Sequence, residues 1–295
     1  MPPSVTRQSP ISRAPVRNAV PVDVETGIKI LEYGRGKTGK TRFASSFPKP
    51  MLIVGTEDGT KSICSGSRAK GTLKSGAPIR ALLLGGKETG IDFVRILRSD
   101  DTDEIVALVP KNGYKTVVND TAGGVQDTIL KEILNLDNAP VQKSWGLTDM
   151  QTWGVVGMQF KERMRQLLDL ADRHGTNVVV IAHERNFNES GSSDVMVASV
   201  GAALTPSAAA WLNAACDYIC QTYIREQSVT EKKQQGSATI NVTRKTGRKE
   251  YCLRVGPHEI FMTGFRLPPG VELPDSIVNP TYEKIAALIR GEKVG

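Results

Sequence analysis

The sequence predicts an α/β fold built on a mainly parallel central sheet. Three observations carry that reading. Strand-length apolar runs alternate with helical segments along most of the chain. Two of those runs, 51–55 and 178–182, are apolar without alternation, as in a strand covered on both faces. A Gly- and Lys-rich turn, 34–41, joins the first strand to the first helix, the unit that feeds a parallel sheet. A flexible arm over 1–27, a core over 28–225 and a C-terminal β-hairpin and tail over 226–295, packed on that core, complete the expected organisation.

Residues 28–33 read as the first strand. Residues 42–47 start a helix that Pro48 stops, since proline lacks the N–H that a helix needs. The run 51–55 is a second strand. From 60 to 86 Gly, Ser and Lys dominate, with 79–84 a strand inside. Residues 100–109 form a helix that Asp or Ser can cap, 115–119 a strand closed by Asp120, 124–136 a helix and 137–151 a loop. The clearest helix follows: Val156, Phe160, Met164, Leu167 and Ala171 recur at helical spacing, and Gly175 suits the C-terminal cap. After the strand 178–182, residues 186–205 are Gly- and Ser-rich without periodicity and read as a loop. Residues 207–215 are helical and 217–223 a strand. The segments 238–244 and 248–255 flank Lys245-Thr246-Gly247, which reads as a hairpin turn. A short helix over 280–290 ends the pattern.

The chain has 295 residues, 39% hydrophobic and 23% charged, which excludes a mostly disordered or fibrous protein. A net charge of +7 favours an acidic partner such as nucleic acid. Aromatic residues make up only 5%, so any stacking platform for bases is small. Cys64, Cys216, Cys220 and Cys252 are too scattered for a disulfide scaffold. Cys216 and Cys220, four apart, would share a helix face, but no neighbouring His or Cys pair completes a zinc site; buried reduced thiols in a cytoplasmic protein are expected. The apolar runs are too short to span a bilayer, and the start of the chain has no apolar signal core, so no membrane partner is expected. Pro2, Pro3, Pro10, Pro15 and Pro21 break any helix there. Arg7, Arg13 and Arg17 meet no acid before Asp23, which makes the stretch a basic arm.

The strongest chemical signal is Gly34-Arg35-Gly36-Lys37-Thr38-Gly39-Lys40-Thr41, a complete G-x-x-x-x-G-K-[ST] phosphate loop. Glycines let backbone N–H groups turn in around phosphate oxygens, and the helix start, where Arg42 stands, adds partial positive charge. Lys40 reaches the outer phosphates of ATP, and Thr41 gives a hydroxyl to Mg²⁺. Asp120 ends an apolar strand and can complete the magnesium shell from the same sheet edge. It is followed by Thr121, so the acid that orients the attacking water must come from elsewhere. Glu57, just past the strand 51–55 and between Gly55 and Gly59, is the best candidate; Asp58 is its rival. His183 follows the strand 178–182 and should emerge at the carboxyl edge, where it can either bond the γ-phosphate or cap backbone groups.

Taken together, a Walker A loop, a Glu after the next strand, an Asp-Thr Walker B and a polar residue ending the following strand resemble the RecA-like ATPase core. The resemblance is closest to compact phage ATPases of that class, the Sak-type single-strand annealing recombinases. It is carried by Leu31-Glu32-Tyr33-Gly34, by 52–57, by 114–121, by Val178-Val179-Val180-Ile181-Ala182-His183-Glu184, and by Phe265-Arg266-Leu267-Pro268 with Asn279-Pro280. It implies DNA-stimulated ATP hydrolysis, homo-oligomers (rings or filaments) on single-stranded DNA, cooperation with a single-strand DNA-binding protein, and active sites shared between subunits. It also implies DNA loops over 137–151 and 186–205. Where such proteins often carry a Lys this chain has Gly264, so a cation acting in trans falls on Arg266 or on the hairpin. For Arg266, a plain role in holding the hairpin end stands beside that one.

Two basic regions can meet phosphates: Lys61, Arg68, Lys70, Lys74, Arg80 and Lys87, and Lys232, Lys233, Arg244, Lys245, Arg248, Lys249 and Arg254. Lys143 and Trp145 offer a cation and a ring in the first loop; Glu189 and Asp194 count against the second. The favoured function is a DNA-stimulated ATPase of recombination or annealing. A replicative-helicase-like motor or helicase loader, and a P-loop small-molecule kinase, are the alternatives.

Overall fold

In the computed structural model the described residues are 27–57, 59–136, 149–189, 197–235 and 238–292. The expected basic arm (apart from Gly27), Asp58, residues 137–148 of the first expected DNA loop with Lys143 and Trp145, and Asp194 lie outside them. At the centre are six parallel strands, β1 (Lys29–Gly34), β2 (Met51–Gly55), β5 (Lys87–Arg95), β6 (Thr116–Asp120), β7 (Asn177–Glu189) and β9 (Tyr218–Gln235), in the order β9-β1-β7-β6-β2-β5. Antiparallel strands extend both sides. Beyond β5 come β4 (Pro78–Leu84) and β3 (Gly66–Thr72); beyond β9 come β10 (Ala238–Arg254) and β12 (Ser276–Val278), with the short β11 (Gly264–Phe265) also on β9. β8 (Val197–Ala202) pairs with the far end of β7. The α/β fold with a mostly parallel mixed sheet is therefore as expected.

Two cores cover the sheet because its strands are apolar on both faces. On one side α2 (Asp101–Lys111), α3 (Ala122–Leu134), α4 (Met150–His174) and α5 (Pro206–Ala215) pack over Leu31, Tyr33, Leu52, Val117, Val178 and Val180. On the other, α1 (Lys40–Ala44) and α6 (Tyr282–Ile289) pack over Ile30, Ile53, Val118, Val179 and Ile181. α4 is the keystone of the first layer: its whole predicted stripe is buried, Asp149 caps its start through Thr152 N–H, and Gly175 ends it at φ 63°.

Four expectations on the elements are corrected. The stretch 60–86 holds two strands, and β5 follows at once; β3 is exposed along its length, so it carries no apolar alternation to betray it. The expected loop 186–205 is largely a hairpin, β7 running on to Glu189 and returning as β8. Lys245-Thr246-Gly247 is a bulge inside one continuous strand, and the strands that pair are β9 and β10. Thr246 Oγ1 donates to Gln227 O at 3.2 Å and Gly247 takes φ 74°, so turn-type residues serve a bulge. Cys216 and Cys220 share no helix face: Cys216 caps α5 and Cys220 lies in β9, both buried.

β9 pairs with β1 as far as Thr222; from 223 to 235 it pairs, among the described residues, with β10 alone. That length, at about 3.3 Å per residue, makes a two-stranded ribbon of roughly 40 Å. β9 also runs unbroken through residue 225, where the core was expected to end.

Phe160 is fully buried in α4 beneath the sheet. Phe160→Ala should destabilise the protein by about 3–5 kcal/mol, read as a lowered urea midpoint with an unchanged slope.

Candidate nucleotide-binding site

The loop 34–41 leaves the carboxyl end of β1, and strand register decides what surrounds it. Gly34 stands level with His183 of β7 and with Thr222 of β9. Gly34 permits the approach: a Cβ there would lie 2.4 Å from Thr222 O. Thr38 Oγ1 donates to Arg35 O at 2.8 Å and meets Thr222 Oγ1 at 2.8 Å, pinning the loop to β9. Gly39 takes φ 96°, a conformation that disfavours other residues, and starts α1. That helix has only five residues, so its dipole adds less than the sequence suggested. The positive charge offered to a phosphate rests on Lys40 and on backbone N–H groups.

Lys40 is buried, and its ammonium donates to Gly34 O at 2.9 Å and Arg35 O at 2.7 Å. Burial lowers its pKa, opposed by the charges of Glu32, Asp120 and Glu184. Thr41 Oγ1 donates to Asp120 Oδ2 at 3.1 Å. Burial raises the Asp120 pKa, and the Thr41 bond, Lys40 and His183 draw it back down. Glu57 is exposed on the loop after β2, and its charge is felt by Asp120. Gly59 lies against that same carboxylate: a Cβ on it would come 3.3 Å from Asp120 Oδ2. Thus Lys40, Thr41, Asp120, Glu57 and His183 gather at one edge of the sheet, delivered by β1, β6, β2 and β7. The Asp120–Thr121 peptide is cis.

Arg266 is not brought to this edge. It precedes no strand end near the loop; its guanidinium donates to Asp217 Oδ1 at 2.7 Å and to Ala214 O at 2.8 Å, and its N–H donates to Asp217 O at 3.0 Å. Asp217 stands before the first residue of β9, at the amino end of the parallel strands. There Arg266 fastens β11 to the start of β9.

Two residues of the site were not singled out as site residues from the sequence. Glu184 accepts from Arg35 Nε at 2.7 Å and from Gln221 Nε2 at 3.2 Å, which ties the loop's exposed arginine to β7 and β9. Its place just after His183 was the only available signal. Glu32 is the second. It is completely buried on the α1 face, and neither carboxylate oxygen has a hydrogen-bond partner among the described residues. Burial pushes its pKa well up, with Lys40 opposing and Asp120 adding to the rise. A Glu inside a strand gives no pattern that marks it as buried.

A family profile described as an AAA domain matches residues 26–266. The chain belongs to this AAA-domain family. The match spans every element from β1 to β11, and so takes in the phosphate loop, Asp120 and His183 together. A search of the curated proteins finds no match. Among solved structures, the KaiC-like protein PH0186 from the hyperthermophilic archaeon Pyrococcus horikoshii OT3 is similar at 11% identity and a TM-score of 0.37, covering 86% of this chain and 91% of that one. No helix among the described residues is long and apolar enough to cross a membrane.

The AAA domain here is a P-loop ATPase core, and its residues fit a magnesium nucleotide. Thr41 and Asp120 are hard oxygen donors already in contact, and Mg²⁺ is typically held by one or two carboxylates together with phosphates and water. Among the described residues no cluster of His, Cys, Asp and Glu competes as a metal site.

Glu32 supplies a test of these electrostatics. Its folded pKa lies above the unfolded value, so the folded state holds the proton more tightly. Stability is then greatest below the unfolded pKa and falls as pH rises toward the folded one. Glu32→Gln removes that fall. The variant should melt higher than the parent at pH 8, on the order of several degrees, and close to it at pH 4. An equal shift at both pH values in thermal melts would show that packing, not charge, governs the site.

Proposed function

We propose that the chain hydrolyses ATP on this loop and that single-stranded DNA stimulates it. The observation that carries the ATPase half is the Thr41–Asp120 contact beside a complete phosphate loop, with Glu57 and His183 delivered by neighbouring strands. In this reading Lys40 leaves the carbonyls of Gly34 and Arg35 for phosphate oxygens. Thr41 and Asp120 would hold magnesium, which would shield the phosphate charge. Glu57 orients and deprotonates the attacking water, and His183 bonds the terminal phosphate.

The β9–β10 ribbon supports the DNA half. Arg244, Arg248 and Lys249 are exposed on it and make no ion pair among the described residues. Arg225 and Lys245 are paired with Glu250 and Glu226 on the same ribbon. The other basic region is partly neutralised, since β5 brings Glu88 against Arg68 and Asp92 against Lys70. The ribbon is accordingly the better phosphate-contacting surface. The motif resemblance adds strand annealing or recombination, a homo-oligomer and a single-strand DNA-binding protein as a partner. For Arg266 to serve a neighbouring subunit it would have to leave Asp217, which makes the ribbon cations the readier trans-acting groups.

Lys40→Ala should abolish hydrolysis, and Glu57→Gln should cut turnover by about 10²-fold or more while ATP stays bound. A phosphate-release assay and nucleotide binding on the purified chain check both. Normal turnover in Lys40→Ala would end the ATPase reading, and normal turnover in Glu57→Gln would pass the role to Asp58.

Single-stranded DNA should raise the rate and bind with steep salt dependence and little sequence preference. Reversing Arg244 and Arg248 to Glu should weaken that binding by about tenfold or more at low salt and leave the DNA-free rate intact. Hydrolysis indifferent to DNA, with no DNA bound at low salt, would favour a small-molecule phosphotransferase; ATP-driven duplex unwinding would favour a helicase-like motor.

A further inference from the structure

On the far side of the phosphate loop from Asp120, Glu57 and His183 lies a cleft of about 250 Å³. Its walls are Gly39 and Arg42 of the loop and α1, Thr222 of β9, Tyr251 of β10, and the Asn279–Pro280 turn that follows β12. The sheet order explains its position. Those three groups come from β7, β6 and β2 on one side of β1, whereas the cleft is built by β9 and β10 on the other. A nucleotide with its outer phosphates at Lys40 and Asp120 must extend its opposite end away from them, and the loop itself borders the cleft through Thr38 and Gly39.

The lining has the chemistry of a base site. Tyr251 is half-buried, with one ring edge against the loop: a Cβ on Gly39 would lie 3.0 Å from its Cδ1. The Arg42 guanidinium sits 5.7 Å from the ring centre. Asn279 is exposed and adopts φ 47°, and its backbone N–H donates to Tyr251 O at 2.7 Å, so the main chains of the turn and of β10 are joined beside the cleft. A side-chain amide donates and accepts, as the edge of a purine requires. The turn is braced from below. Tyr282 N–H donates to Ser46 Oγ at 2.8 Å, and Lys284 Nζ donates to Val278 O at 2.7 Å. The cleft is therefore formed before any ligand arrives.

We propose that this cleft seats the purine base of the nucleotide, with the Tyr251 ring as its stacking wall and the Asn279 amide reading the base edge. The assignment rests on the loop being a nucleotide phosphate site, and the test separates the two. Calorimetry on the full chain compares Mg-ATP, Mg-GTP and Mg-tripolyphosphate, which has phosphates and no base. Stacking on an aromatic ring contributes about 1–3 kcal/mol by alanine substitution, or roughly 5- to 150-fold in affinity. Tyr251→Ala should weaken ATP by a factor in that range and leave tripolyphosphate within about twofold. Tyr251→Leu, which keeps apolar bulk and guards against misfolding, should move ATP in the same direction. Asn279→Ala should change the ratio of ATP to GTP affinity, and Lys40→Ala should weaken all three ligands. Equal weakening of ATP and tripolyphosphate by both Tyr251 variants, or no weakening of either, would overturn the base assignment. So would a parent chain that binds ATP no better than tripolyphosphate. A parent that binds neither would overturn the phosphate-loop reading itself.

Discussion

The site depends on the parallel register of β1 between β7 and β9. That register sets Gly34 level with His183 and Thr222, and Glu32 level with Ile181, which is in turn level with Asp120. The functional groups come from four strands and are far apart in the sequence, so only the strand order brings them to one edge. A slip by one residue would exchange the two faces of a strand and move His183 or Asp120 out of line with Gly34. Both faces are buried, so the slip is resisted by the close packing of particular side chains in each core. Packing of α4 on the sheet and the chemistry at Lys40 are thus consequences of one constraint.

Much of this was legible. The strand–loop–helix unit, the α4 stripe and the Gly175 cap are local patterns, and each matches an element of the structure. Asp120 and Glu57 could be placed because both follow short apolar strands, and strand ends in an open α/β sheet face the ligand edge. What failed was non-local. β3 is exposed throughout, so no hydrophobic period existed to read. The ribbon was misread because Thr246 and Gly247 look like a turn, whereas the true connection lies between Gln235 and Ala238. Glu184 acquires its meaning only from Arg35 and Gln221, residues distant in the chain. Glu32 looks like any polar residue in a strand until the neighbouring strands bury it.

Glu32 also shows how the loop's charges are balanced. A buried ammonium is costly unless it is hydrogen-bonded or near opposite charge. Lys40 has two carbonyl acceptors from its own loop and lies in the field of Glu32, Asp120 and Glu184. Those carbonyl bonds are neutral–charged contacts that a phosphate can replace with stronger charge-assisted ones. Glu32 has no such contacts among the described residues, and burial works against its ionisation. Its protonated form leaves one net positive charge on Lys40, facing the loop, and an ionised Glu32 would cancel it. Burial thus favours the uncharged acid beside Lys40, which suits a loop that binds anions.

β10 carries the ribbon cations Arg244 to Lys249, then Tyr251 at the cleft, then Arg254. Arg254 Nε donates to Gln221 Oε1 at 3.1 Å, Gln221 donates to Glu184, and Glu184 accepts from Arg35 in the phosphate loop. Arg254 is also stacked over Tyr223 and Phe261, at 4.9 Å and 4.4 Å from their ring centres. Sliding β10 along β9 would therefore break the Arg254–Gln221 bond and withdraw Tyr251 from Gly39 in one movement. The base of the ribbon is built into the nucleotide edge of the sheet, and its outer part, paired with nothing but its own return strand, has no comparable restraint among the described residues.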